Sequence, residues 1–516
     1  MNLQRAIAYL RHMPRPARRN STLPLLHLSL ISLLALPAPR EALAEKSATA
    51  SDEMAAPFAG GWCGEARHGG QVRRLALHVP EAGDQPVTVD IPAMDAWGIA
   101  IGGLKAIEAG LEIGAWPLTW EGERARLTGS LPAWLVPRRT IPVEFERCDP
   151  PAREEPDWNY PAPEIAWSLE LDGAVWAGLE LDRAANRVLV ATVAGTLTAL
   201  EMGSGERAWT WSAGGAIRAQ PSVIGDAVYV ASDDGRVSKL ARLSGRLLWQ
   251  AEIGTGPERL GPESPDSKWD RYGSSVVEAG GRLFVGSRDG ALYCLDPETG
   301  ERLWRFQTED ILQATPATSG ERVFVASFDG GVTALSAANG EPLWRFDAQL
   351  PVPADLAVAD GVVLAGSRTY DLHALAEGSG EPVWSRFFWF SWIDSPPNVV
   401  SGVAYVGSSD VLLLSALSTR TGDAVWETLL PGWSWARPAV AGGGVFTGTV
   451  GSVTYVGARA GTFVAVDRAS GKIRWLYPAP APEEGQWGFG ASAAATEDLV
   501  FAADLGGRIY AFRARS

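Results

Sequence analysis

The side chains of this chain that are placed to do chemistry are aromatic, basic and amide groups rather than nucleophiles. In chain order they are Trp176, Arg218, Arg271, Gln313, Trp392, Asp394, Trp435, Arg437 and Trp487, each just ahead of a short β-prone run. A fold that repeats that run brings them to one face. Convergent indoles with a few guanidinium, amide and carboxylate groups can stack a flat or glycan-like ligand and hold its polar edge. The same rings can instead plug a channel mouth or pack between layers, since large aromatics are mostly buried for packing. Arg218, Arg271, Arg437 and Asp394 favour a ligand, because charges are rarely placed in a closed core.

Other chemistries lack their residues. His373 is the only histidine after residue 78, and there is no Gly-x-Ser-x-Gly elbow, which argues against a serine hydrolase. No phosphate-binding Gly-x-x-x-x-Gly-Lys loop and no Cys-x-x-Cys-His haem attachment occur. Glu65, His68 and His78 form no recognisable metal or catalytic set. Net charge is −15, and losing the six Arg and one Glu of residues 1–44 makes it about −20. Nucleic acid and anionic membrane need clustered Lys and Arg, so neither is an expected partner.

The elements that position the site come from an internal repeat. Gly-x-x-x-Trp recurs at Gly205/Trp209, Gly245/Trp249, Gly300/Trp304, Gly340/Trp344, Gly380/Trp384, Gly422/Trp426 and Gly471/Trp475, with Trp-to-Trp steps of 40, 55, 40, 40, 42 and 49. The clearest copy runs from Leu295 to Trp304. Ala291–Leu295 reads as a strand with one face buried, Asp296 to Gly300 supplies turn chemistry, and Trp304 lies on the following strand. Four short strands per repeat is the arithmetic of a propeller blade. Eight units are counted. The eighth lacks its Trp strand, which Trp167 supplies from the other end, so an eight-bladed β-propeller closed by an N-terminal strand is expected over 165–516.

Strand order puts the Thr-Gly turns on one rim and the length anomalies on the other. The anomalies are Gly254 to Asp270, Val450 to Ala460 and Tyr477 to Trp487. Functional loops gather on one face of a rigid scaffold. The candidate residues share that second rim.

Leu-Asp-Pro-Glu-Thr-Gly-Glu-Arg-Leu-Trp (295–304) and Phe-Val-Gly-Ser-Arg-Asp-Gly (284–290) resemble the repeat of the quinoprotein alcohol dehydrogenases, which are eight-bladed propellers. The same repeat occurs in the propeller lipoprotein of the outer-membrane β-barrel assembly machinery. The resemblance covers about 165–516 and implies that each Trp docks one blade on the next. From the dehydrogenases it would imply pyrroloquinoline quinone (PQQ) stacked on a Trp, Ca²⁺ held by Glu, Asn and Asp, a catalytic Asp and two adjacent Cys. Adjacent Cys are absent, and although Trp392, Asp394 and Asn398 could be assigned the stacking, base and ligand roles, no segment matches those motifs beyond the repeat. No cofactor is therefore expected on the favoured reading, a scaffold that binds an envelope protein or glycan-like ligand. The alternative is a PQQ- and Ca²⁺-dependent dehydrogenase of an alcohol or sugar.

Ahead of the repeats, residues 1–44 read as an export signal cleaved near Ala44, giving a periplasmic protein. A basic front is followed by an apolar run, Leu25 to Leu36, too short for the roughly 20 residues of a membrane span. No Cys follows the presumed cleavage site, so a lipid anchor there is not expected. Residues 45–56 are a linker, 57–148 a small β-sandwich or barrel, and 149–164 a Pro-rich linker. Cys63 and Cys148 stand near the ends of the small domain. In an oxidising compartment they pair, and otherwise they are two buried thiols.

Overall fold

The structure, a computed structural model, describes residues 58–515 except 81–85, 93–95, 103, 108–109, 114–115, 122–124, 133–135, 137–138, 153–155, 262–263, 265–266 and 453–459. The expected signal and first linker lie outside the described residues. The chain is all-β and divides into two compact units near residue 156. No helix among the described residues is long and apolar enough to cross a membrane.

The first unit is one nine-stranded antiparallel sheet. Its edge strands, Ala96–Gly102 and Leu104–Ile107, are consecutive in the chain, so the sheet curls back on itself like a barrel. Trp62, Trp116 and Phe145 fill it. Its first strand, Gly60–His68, pairs with its last, Pro142–Arg147. Beside that pair Cys63 and Cys148 form a disulfide, with Cα atoms 5.7 Å apart and a sequence separation of 85. On the chain-entropy account a loop that long is stabilised by about 4–5 kcal/mol on closure.

The second unit is an eight-bladed propeller of four-stranded blades. Ile165–Glu170 pairs with Arg508–Arg513 as the outer strand of blade 8, which closes the ring and removes the open edge. One expectation needs correction. Ala291–Leu295 is buried at every position rather than on one face. Neighbouring blades sandwich the second and third strands, so both faces are covered and the strand reads as a continuous apolar run. The outer strands alternate instead, as in Arg302–Gln307.

Each repeat turn is built to receive its neighbour. In blade 3, Asp296 Oδ1 accepts from the backbone N–H of Glu298 and of Thr299, both at 2.9 Å. Gly340 closes the equivalent turn of blade 4 at φ +74°, a conformation L side chains rarely adopt. Onto this turn lies Trp304 of blade 3, and its indole N–H donates to Ala337 O at 3.3 Å. The contact recurs with Trp167, Trp209, Trp249, Trp344, Trp384 and Trp426, whose indoles donate to the next turn at 2.8–3.2 Å. At all seven glycines a Cβ would fall 2.5–2.8 Å from a ring carbon. This is the docking implied for the repeat Trp.

The seam from blade 7 to blade 8 is different, because blade 8 takes its outer strand from the other end of the chain and has no such turn. Trp475 is fully buried there and its indole nitrogen has no acceptor. It packs instead among Phe446, Phe463 and Phe512, with Tyr477 and Tyr510 adjoining.

Trp304→Ala should lower stability by about 3 kcal/mol through lost burial. Gly340→Ala should cost a similar amount through φ strain and collision with the ring. The double variant should cost clearly less than the sum, because the collision vanishes with the indole. Denaturant melts of all three test this, and additivity within about 0.5 kcal/mol would show that the two residues do not meet.

Candidate functional site

The expected residues do share one rim, and a strap of the chain's own backbone lies across it. Within the insertion between blades 2 and 3, residues 267–272 lie across the axial mouth. Arg271 among them sits over three indoles, with Cζ 5.5 Å from the Trp176 ring, 4.6 Å from Trp269 and 4.4 Å from Trp435. Arg271 Nη2 donates to Gln486 Oε1 at 3.2 Å, and Tyr272 Oη donates to Gly490 O at 2.8 Å. These partners lead into blades 1, 7 and 8. On the other flanks Lys268 Nζ meets Asp310 at 2.6 Å, and Lys268 O accepts from Arg368 Nη1 at 2.8 Å. Contacts to blades on opposite sides of the ring mean that the strap crosses the axis. Trp433 stacks on Trp435 at 5.3 Å and supports the far side.

The charges expected to await a ligand have partners within the protein. Arg218 Nε donates to Asp233 at 3.1 Å, Arg437 Nη2 to Asp355 at 3.1 Å, and Arg368 Nη2 to Asp394 at 3.1 Å. Arg368 also lies 4.5 Å over the Trp392 ring, so Trp392 and Asp394 form a group of their own around it. Gln313 stands apart, almost wholly buried, donating to Pro353 O at 3.4 Å while its Oε1 has no partner. Trp487 is half-buried on Gln486–Gly488, a strand that pairs with Val450–Ser452 and so ties the other two insertions together.

Four residues escaped sequence reasoning. Arg259 donates to Asp233 at 3.2 Å and also to Asp270 O. Arg288 pairs with Asp270. Asp233, Arg288 and Arg368 all follow the small residue in the turn between a blade's second and third strands, as in Ser287-Arg288-Asp289-Gly290. That is the variable position of an otherwise constant turn on the strap's rim, a signal the sequence does hold.

Burial shapes the electrostatics. Arg218 and Arg288 hold their protons less tightly than usual, through burial and then the neighbouring Arg259 charge. Burial also raises the Tyr272 hydroxyl. Burial pushes Glu180, on the axial strand of blade 1, up to about 7, although Gln220 donates to it at 2.7 Å.

The residues do not fit pyrroloquinoline quinone with Ca²⁺. The Trp392 face that a quinone would stack on carries Arg368, Asp394 is that cation's counter-ion, and the Asn398 amide donates to Pro438 O at 2.8 Å. Among the described residues no three His, Cys, Asp or Glu gather as a metal site.

Two outcomes are expected. Arg271→Ala should speed hydrogen exchange around Trp269–Tyr272 while the blade strands stay protected, since cation–π contacts of about 0.5–2 kcal/mol each hold the strap. Equal deprotection of blades and strap would contradict this. Because Glu180 has a folded pKa of about 7 against an ordinary 4.5, the native state binds more protons. Stability should fall by roughly 2–3 kcal/mol as pH rises from about 4.5 through about 7. Glu180→Gln should flatten that slope in melts between about pH 5 and pH 8.

Comparison with known proteins places the chain. A family model described as outer membrane protein assembly factor BamB matches residues 161–267, 263–386 and 329–516. BamB of Bordetella pertussis is 29% identical over 126 residues, 19% of this chain and 33% of that protein. A 1-butanol dehydrogenase (cytochrome c) of Thauera butanivorans is 33% identical over 97 residues, 18% of this chain and 13% of that protein. The chain thus spans a third or less of the length of these relatives. The quinohaemoprotein alcohol dehydrogenase structure of Comamonas testosteroni superposes with a TM-score of 0.52 at 14% identity, covering 68% of this chain and 76% of that one, which shows the shared fold. With matched segments running from 161 to 516, well over half its length, the chain belongs to the PQQ-like β-propeller family that carries the BamB assembly-factor description.

Proposed function

We propose that the protein is an exported, periplasmic scaffold that binds a partner protein through the strap-bearing rim. One observation carries this reading: Arg271 fills the aromatic mouth of the propeller, the place where a flat cofactor would need bare indole faces. With the mouth filled by Arg271, the half-buried Trp176, Trp269, Trp487 and Arg437 on this rim are of the residue types enriched at protein-binding faces. The relatives named as outer membrane protein assembly factors support a partner among the proteins that assemble the outer membrane. A glycan-like ligand remains the second kind of occupant for the same aromatic rim. A PQQ-dependent dehydrogenase is disfavoured by the fit of Trp392, Asp394 and Asn398.

Deleting the gene in its source organism should lower the level of heat-modifiable outer-membrane β-barrel proteins, with restoration by the wild-type chain. Unchanged barrel levels with loss of dye-linked alcohol or sugar oxidation would contradict the scaffold and favour the enzyme.

A further inference from the structure

The groups around Arg271 would hold any guanidinium. Its Cζ lies within the roughly 6 Å at which an indole face attracts a cation, over three rings at once. Gln486 Oε1 accepts from its Nη2 at 3.2 Å. Two of the three walls are held by residues outside the strap. Trp435 is backed by Trp433, stacked at 5.3 Å with the planes 12° apart. Trp176 rests on Gly490, where a Cβ would fall 2.7 Å from its ring. Neither indole is among the seven that dock blade on blade, so ring assembly does not account for them. The strap that delivers Arg271 is strained. Trp269 holds φ at +54°, a left-handed conformation that a bulky residue keeps only where its surroundings enforce it. Beside it the Lys268–Asp310 pair is partly exposed, so salt screens one of the contacts that pin the strap. Trp176, Trp269 and Arg271 are half-buried and face a cleft of about 240 Å³, through which a side chain can reach them.

We propose that the indole cup is a guanidinium-recognition site, that Arg271 is its built-in occupant, and that an arginine of a partner protein docked on the rim takes Arg271's place. The exchange sets one guanidinium for another on the faces of Trp176 and Trp435 and on the Gln486 acceptor. The strap, once released, leaves the left-handed turn at Trp269. Arginine suits the cup better than lysine, because a planar guanidinium stacks on indoles and is more weakly hydrated than an ammonium. The source of the arginine, a partner on this rim, rests on the scaffold reading above.

Isothermal titration calorimetry of the full chain with acetyl-Gly-Arg-Gly-amide tests the site, with the citrulline peptide as neutral isostere. Arg271→Ala frees the cup, so this variant should bind the arginine peptide saturably and at least about tenfold more tightly than wild type. Arg271→Gln should show the same gain, and circular dichroism should show both folded. The citrulline peptide should not bind, and adding Trp176→Ala should remove the gain. In the wild type, excess arginine peptide should speed hydrogen exchange at 267–272 while the blade strands stay protected. No saturable binding to either Arg271 variant up to about 10 mM, equal binding of the citrulline peptide, or equal affinity in wild type and variants would overturn the proposal. If peptide binding fails while the deletion still lowers barrel proteins, the cup assignment falls and the scaffold stands. Peptide binding with unchanged barrel proteins leaves the cup and sinks the scaffold.

Discussion

The ring depends on one contact made seven times, an indole laid on a glycine of the next blade with its N–H bonded to a carbonyl of the same turn. Each half of the pair is useless alone. The glycine is needed because its turn takes positive φ and because any Cβ would collide with the ring. The indole is needed because a half-exposed outer strand has little else to bury between blades. The contact fixes both spacing and rotation of successive blades, and so sets where the opposite rim's residues converge.

The eighth seam shows what closure requires. Borrowing Ile165–Glu170 from the start of the propeller lets blade 8 dock on blade 1 through Trp167 and Gly205. It also deprives blade 7 of a turn to dock on. The chain compensates with an aromatic cluster around Trp475, at the expense of one indole donor left unbonded. The insertions tied together by Val450–Ser452 and Gln486–Gly488 lie at the same seam. The strap across the axis then completes the rim, with Arg271 as the group that blades 1, 7 and 8 hold in common.

The ring was legible in the sequence because its defining contact is local at each end: a Gly-x-x-x-Trp spacing encodes both halves of the docking, one for the blade before and one for the blade after. Blade count, the closing strand and the rim carrying the insertions followed from that spacing. The pairing of charges was not legible. Arg271 meets Gln486 and Trp435, Arg437 meets Asp355, and Arg368 meets Lys268 O, partners separated by 82 to 215 residues. Such contacts exist only once the ring has closed. Sequence reasoning therefore took the rim's charges for unpaired ones, when Arg218 and Asp394 had partners nearby in the chain and Arg437 one from a distant blade. The covered second face of Ala291–Leu295 was missed for the same reason, since the layer that buries it belongs to the next blade.

The central claim is that the protein's own strap, rather than a cofactor, occupies the mouth of the propeller. Equilibrium titration of the purified full chain with pyrroloquinoline quinone and Ca²⁺, followed by quinone absorbance after gel filtration, tests it most directly. The account predicts that no quinone co-elutes with the protein. One equivalent retained per chain would contradict it.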